Sequence, residues 1–186
     1  MSINKNRTAI ILAGGKSTRM NEDKGLVLLN GKAMIQYVID AVHPLVEDVI
    51  IIANDEVYNY LGFKVYKDII KGKGPLAGIQ TGLHYSKNDE NIILSCDIPY
   101  VTSELITYLI DKSKNHEITI PEKENRSHQL IGIFSKSCEE SFSVSLEKDQ
   151  LKLLNAFKNL NLNIVDANHF DKKIFTNINS PSDLET

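Results

Sequence analysis

The chain has only two cysteines, Cys96 and Cys138, far apart in sequence. Without a CxxC pair there is no basis for a disulfide framework or a zinc site, and both thiols are expected to be reduced. Charge of one sign is not in excess. The 21 Lys and Arg face 24 Asp and Glu, a formal net charge of −3, so no global field draws nucleic acid or an anionic membrane to the protein. Any anion site must be local. Long apolar runs are also missing. No stretch could span a bilayer, and residues 1–7 hold no hydrophobic h-region, so the expected location is cytoplasmic. Repeats, low-complexity tracts and linkers are absent too, and residues 1–186 read as a single domain.

What remains is ordinary for a folded domain with a sizeable core: 42% hydrophobic and 24% charged residues. Apolar runs predict strands over 9–12, 49–53, 64–66, 92–95, 117–120 and 130–134. Several are continuous Ile/Val/Leu stretches, as strands buried on both faces require. Between them lie helical stripes: Met34, Ile35, Val38, Ile39 and Val42; then Leu76, Ile79 and Leu83, opened by Pro75; then Leu105, Ile106, Leu109 and Ile110. Leu151, Leu154, Phe157 and Leu160 predict a fourth helix, and Ser180-Pro181-Ser182-Asp183 reads as a helix start. Alternating strands and helices predict an α/β fold, a three-layer Rossmann-like domain around a mostly parallel sheet.

The most informative segment follows the first strand: Leu12-Ala13-Gly14-Gly15-Lys16-Ser17-Thr18-Arg19-Met20-Asn21-Glu22-Asp23-Lys24-Gly25. Glycines let backbone N–H groups approach an oxyanion, and Lys16, Arg19 and Lys24 supply local positive charge for a polyphosphate. Lys24 is expected to be a loop cation that packs little. The segment is not a P-loop, because the position five before Gly15 is Ile10, and it is not a G-x-G-x-x-G dinucleotide loop. An ordinary strand-to-helix loop with solvated lysines is the plain alternative.

Three further segments are candidates. Gly72-Lys73-Gly74-Pro75-Leu76-Ala77-Gly78 is a second glycine-rich helix entry, or else a βα turn whose Gly78 and Gly82 allow close helix packing. In Ser95-Cys96-Asp97-Ile98-Pro99, Asp97 ends a central strand, where α/β folds bind ligands. Its carboxylate suits Mg²⁺, or else it is a cap. Asn54 and Asp68 also end strands, and Asn177 and Asn179 precede Ser180-Pro181; each is a turn former by default.

The pattern L-A-G-G-x-S-x-R-M-x-x-D-K, the Gly-Pro-Leu-Ala-Gly segment, Cys-Asp-x-Pro and Asn-x-Asn-Ser-Pro together resemble the molybdenum cofactor guanylyltransferases, over about residues 8–184. The resemblance implies transfer of GMP from GTP to a molybdopterin-type cofactor, with release of pyrophosphate. It implies nucleotide contacts at Leu12, Ala13, Gly14, Gly15, Lys24, Asn54, Asp68, Gly78 and Asp97. Catalytic roles fall to Arg19, Lys24 and Asp97, with Mg²⁺ on Asp97, and Asn177 and Asn179 go to the pterin substrate. Nine of the ten glycines lie at or before Gly82, so about 8–100 is expected to hold nucleotide and about 101–186 the pterin. GTP, the pterin cofactor and molybdoenzyme-maturation proteins are the implied partners, with no nucleic acid or membrane. The chain departs from the family pattern at His128-Gln129-Leu130, where His-Pro-Thr is usual, and at Asn21, where glycine is usual. Asn21 is expected to adopt a left-handed backbone. Cytidylyl or sugar-phosphate nucleotidyl transfer, or non-catalytic nucleotide binding by an adaptor, are the rival readings.

Overall fold

The structure is a computed structural model that describes residues 5–14, 23–179 and 183. Gly15, Lys16, Arg19, Asn21 and the helix start at 180–182 lie outside the described residues. Element order is β1 (Arg7–Leu12), β2 (Leu28–Leu29), β3 (Lys32–Ala33), α1 (Met34–Val42), β4 (Asp48–Ile52), β5 (Lys64–Tyr66), α2 (Gly74–Tyr85), β6 (Glu90–Ser95), α3 (Ser103–Lys112), β7 (Ile118–Lys123), β8 (Arg126–Ser127), β9 (Ile131–Ser135), α4 (Cys138–Glu147), α5 (Leu153–Ala156) and β10 (Leu162–Asp166). Short 3₁₀ turns cover Lys24–Leu26, His43–Leu45, Glu56–Leu61 and Lys172–Phe175.

The main sheet runs β10-β7-β9-β6-β1-β4-β5, with β8 beside β7. Strands β5, β4, β1 and β6 are mutually parallel, and β9 is reversed between β6 and β7. The mostly parallel α/β sheet expected from the sequence is therefore present. The chain builds outward from β1 through β4 to β5, then returns to β6 on the other flank of β1. Right-handed crossovers in opposite directions put their helices on opposite faces. Ala9 and Ile11 accordingly join the core that contains α1 and α3 residues, whereas Ile10 and Leu12 join the core that contains α2 and α4 residues. The reversal leaves a crevice at the carboxyl ends of β1 and β6, where such sheets take ligands.

One expectation needs correction, and two features were not anticipated. The stripe from Leu151 to Leu160 is not one helix. Only Leu153–Ala156 is helical, followed by single turns that close from Lys158 N–H to the Asn155 carbonyl and from Leu160 N–H to the Phe157 carbonyl. Phe157 is fully buried, but Leu154 is 43% exposed, so the apolar spacing serves a string of turns. The long helix here is α4, with Cys138, Phe142, Ser145 and Leu146 inward. Its serine-rich sequence carries no clear apolar stripe. The second omission is the hairpin β2–β3, whose two-residue turn is Asn30-Gly31, both left-handed (φ 52° and 79°). Asn-Gly is the favoured pair for this turn. The hairpin carries a small third core of Val27, Leu29, Met34 and Ile178.

Helix α2 lies hard against β1. A Cβ at Gly82 would overlap the side chain of fully buried Ile10, and one at Gly78 would come within 3.2 Å of Leu12. Gly82→Ala should therefore destabilise the fold by about 1–3 kcal/mol through overpacking. A urea titration with a lowered midpoint and unchanged slope is the expected result. Wild-type stability would show that α2 can move away from β1 without cost.

Candidate active site

The parallel strands end at one edge, and the residues that follow them line a cavity of about 610 Å³. Leu12 and Gly14 come from β1, Ile52 and Asn54 from β4, Asp68 from beyond β5 and Ser95 from β6. Leu130 reaches the same edge because β9 runs the other way. The entry to α2 closes one side with Gly72, Gly74, Pro75 and Gly78. Gly72 and Gly74 have φ of 74° and 66°, a conformation that side chains resist. The volume and the mixture of Leu12, Ile52 and Leu130 with a few polar groups suit a nucleoside-sized ligand. Asn54 Nδ2 donates to Asp68 Oδ2 at 3.1 Å, which fixes the two polar groups against each other. A side chain at Gly78 would sit 3.7 Å from Asp68 Oδ1 and intrude on this wall.

Ser95 and Asp23 connect the cavity to a tighter polar cluster. Asp97 follows β6 and is 7% exposed. Ser95 Oγ donates to Asp97 Oδ1 at 2.6 Å, and Asn177 Nδ2 donates to the same oxygen at 3.3 Å. Lys24 Nζ lies 3.5 Å from Asp97 Oδ2 and donates to Asn179 Oδ1 at 2.5 Å. The two asparagines come from an extended segment that the Ile178 N–H pins to the Asp97 carbonyl at 2.9 Å. Side chains alternate along extended backbone. Ile178 is fully buried against Val27, Leu29 and Met34, while Asn177 and Asn179 both reach the polar cluster. Burial, and then the charges of Asp97 and Asp23, push the adjacent Cys96 thiol far above its ordinary range, so it stays a neutral packing group.

Of the residues singled out from the sequence, Lys24, Asp97, Asn177 and Asn179 meet at one point, and Leu12, Gly14, Asn54, Asp68 and Gly78 line the cavity. Ala13 does not line it: its side chain is in the core and its N–H bonds the Ile52 carbonyl at 2.9 Å. Lys24 differs from the loose loop cation expected, because only 29% of its side chain is exposed. Sequence reasoning missed Ser95 and Asp23. Ser95 is the last residue of β6, and its hydroxyl reaches the carboxylate of Asp97 two residues on in the following turn. Asp23 sat beside Lys24 but caps the turn Lys24–Leu26, accepting from the Gly25 N–H.

The MobA-like NTP transferase domain family matches residues 9–160. A probable molybdenum cofactor guanylyltransferase from Flavobacterium johnsoniae is 38% identical over 95% of this chain and 94% of its own length. A second, from Clostridium perfringens, is 35% identical over 96% and 94%. Among solved structures, molybdopterin-guanine dinucleotide biosynthesis protein A from Archaeoglobus fulgidus superposes with a TM-score of 0.80 at 24% identity, covering 96% of this chain and 95% of that one. The family match covers the cavity residues together with Lys24, Ser95 and Asp97, most of the chain, and the chain belongs to the MobA-like NTP transferase domain family.

Proposed function

We propose that the protein transfers GMP from GTP to a molybdopterin-type cofactor and releases pyrophosphate. The observation that carries this reading is the Lys24–Asp97–Asn179 cluster beside a nucleoside-sized cavity, in a chain whose relatives bear the guanylyltransferase name. A phosphate oxygen of the pterin attacks the α-phosphorus of GTP. That P–O bond forms as the bond to the β-phosphate oxygen breaks. Catalysis of this kind consists of positioning and charge stabilisation, with no covalent protein intermediate. The nucleoside occupies the cavity between Leu12, Gly78 and Leu130, which points the phosphates towards Lys24. The ammonium, held by Asp97 and Asn179, neutralises phosphate charge at the reacting end. Arg19, by its place in the loop sequence, is assigned to the same charge, with Gly15 as a backbone donor. Asn177 and Asn179 face the acceptor side, and residues from about 101 onward contribute the pterin half.

The donors at Asp97 fit Mg²⁺. They are a single carboxylate and a serine hydroxyl, oxygen ligands for an ion that keeps several waters and binds substrate phosphates. Asp97 would hold the ion, which supplies further neutralising charge to the phosphates. Among the described residues no helix is long and apolar enough to cross a membrane, which is consistent with the proposed cytoplasmic location. Molybdoenzyme-maturation proteins are the proposed recipients of the product.

Asp97→Asn keeps an acceptor for Ser95 and removes the charge. Turnover should fall about 10²–10³-fold in a folded protein. Near-normal turnover would remove Asp97 from the mechanism. Lys24→Ala should slow transfer by a similar factor. It should also cost about 1–3 kcal/mol of stability, because the buried Asp97 carboxylate loses its cation. A variant with lost stability but intact transfer would make Lys24 structural only. The substrate assignment is tested by incubating the protein with molybdopterin, Mg²⁺ and each of GTP, CTP and ATP, then identifying the dinucleotide. Guanine product with pyrophosphate release is expected. Cytosine product would establish the cytidylyl alternative, and absence of pyrophosphate with any nucleotide would establish a binding role.

A further inference from the structure

Lys24 has few local means of support. It opens a three-residue 3₁₀ turn, too short to hold a cation in place by itself. The support comes from Tyr58, in the 3₁₀ segment Glu56–Leu61 that follows β4. Tyr58 is fully buried, yet it carries a hydroxyl that must find a partner. That hydroxyl donates to Asp23 Oδ1, the same oxygen that accepts the Gly25 N–H at 3.3 Å. One carboxylate oxygen thus ties the backbone on either side of Lys24 to a side chain from another strand end. Gly25 leaves the necessary space: a Cβ there would lie 2.5 Å from Tyr58 Oη. The residues just before this segment, Asn54 and Asp55, line the nucleoside cavity, and so does Asp23.

We propose that Tyr58 is a positioning residue for nucleotidyl transfer, acting through Asp23 to hold the Lys24 turn so that the ammonium stays at Asp97. The proposal rests on the reading of Lys24 as the cation that meets the phosphates. Burial keeps the Tyr58 hydroxyl protonated far above the ordinary tyrosine range, so it serves as a constant donor to Asp23. The ring fills the core, and the hydroxyl sets the turn. Its loss leaves the Asp23 carboxylate with only the weak 3.3 Å contact to the Gly25 N–H, and displacement of a catalytic group by about 1 Å can cost roughly 100-fold in rate.

Tyr58→Phe separates these roles, since it keeps the ring and deletes the hydroxyl. The expected result is a fall in kcat of roughly 10–100-fold with KM for GTP little changed, measured well below the melting temperature. A purely structural hydroxyl would lower the melting temperature and leave kcat alone, and that result overturns the proposal. The second measurement is a double-mutant cycle with Lys24→Ala. If Tyr58 acts through Lys24, then Tyr58→Phe has no further effect on kcat once Lys24 is gone. Equal losses in both backgrounds mean that Tyr58 acts by another route, and the proposal fails while the reading of Lys24 stands. If Lys24→Ala alone leaves transfer intact, the reading of Lys24 fails and the positioning role falls with it.

Discussion

A carboxylate that is almost wholly removed from water needs partners, and Asp97 is the group on which the rest of this site depends. Its partners come from three separate parts of the chain. Ser95 arrives on the same strand, Lys24 on the turn beyond the first loop, and Asn177 on the segment near the carboxyl end. Even its backbone carbonyl is engaged, by the Ile178 N–H. Each partner lowers the cost of the buried charge, and together they define where the lysine and the asparagines must stand. The lysine is thus held close to a negative group yet remains partly open to ligand, an arrangement suited to receiving a more highly charged anion.

The sheet explains why these partners can converge. Strands β1, β4, β5 and β6 all point the same way, so four independent loops open onto one edge. The ladder continues just past the strands, with the Cys96 N–H on the Leu12 carbonyl and the Ala53 N–H on the Tyr66 carbonyl, both at 3.0 Å. The cavity rim is therefore fixed by the sheet's own hydrogen bonds, while the side chains beyond it are free to differ in chemistry. Glycines at 78 and 82 let α2 approach the sheet closely enough to form the cavity's wall, so a packing requirement and a ligand requirement are met by one helix face.

Much of this was legible in the sequence, for identifiable reasons. Runs such as Ile10-Ile11-Leu12 and Val49-Ile50-Ile51-Ile52 announce strands buried on both faces, and polar residues just after them mark the ligand edge. The motif around Lys24 and the Asp97 segment named the cluster's two charged members. Tertiary relations were not legible. Nothing local tells that Tyr58 reaches Asp23, or that Leu130 enters the cavity by way of a reversed strand. The helix α4 escaped because its serines blur the apolar period, and the run from Leu151 to Leu160 misled because apolar residues at helical spacing also serve successive turns around a buried Phe157. The Asn30-Gly31 turn had a readable signal, but the strands it joins are two residues each, too short to show alternation.

The short hairpin has a consequence for how the polar cluster is held. Lys24 and Asn179 are 155 positions apart, and neither lies in a long regular element. A hydrogen bond between two such groups contributes about 0.5–3 kcal/mol, too little to order both segments against their chain entropy. The apolar side of the same segments supplies what is missing. Ile178 is fully buried with Val27, Leu29 and Met34, and Val27 directly follows the turn that carries Lys24. Burial of one such side chain is worth roughly 1.5–3 kcal/mol, and it acts immediately beside the polar contacts. The asparagines are therefore placed by the isoleucine between them, and the turn that carries the lysine is anchored by the valine three residues on as well as by Tyr58 through Asp23. A reaction that requires charge at a fixed point is served here by a greasy anchor on the reverse side of each polar residue.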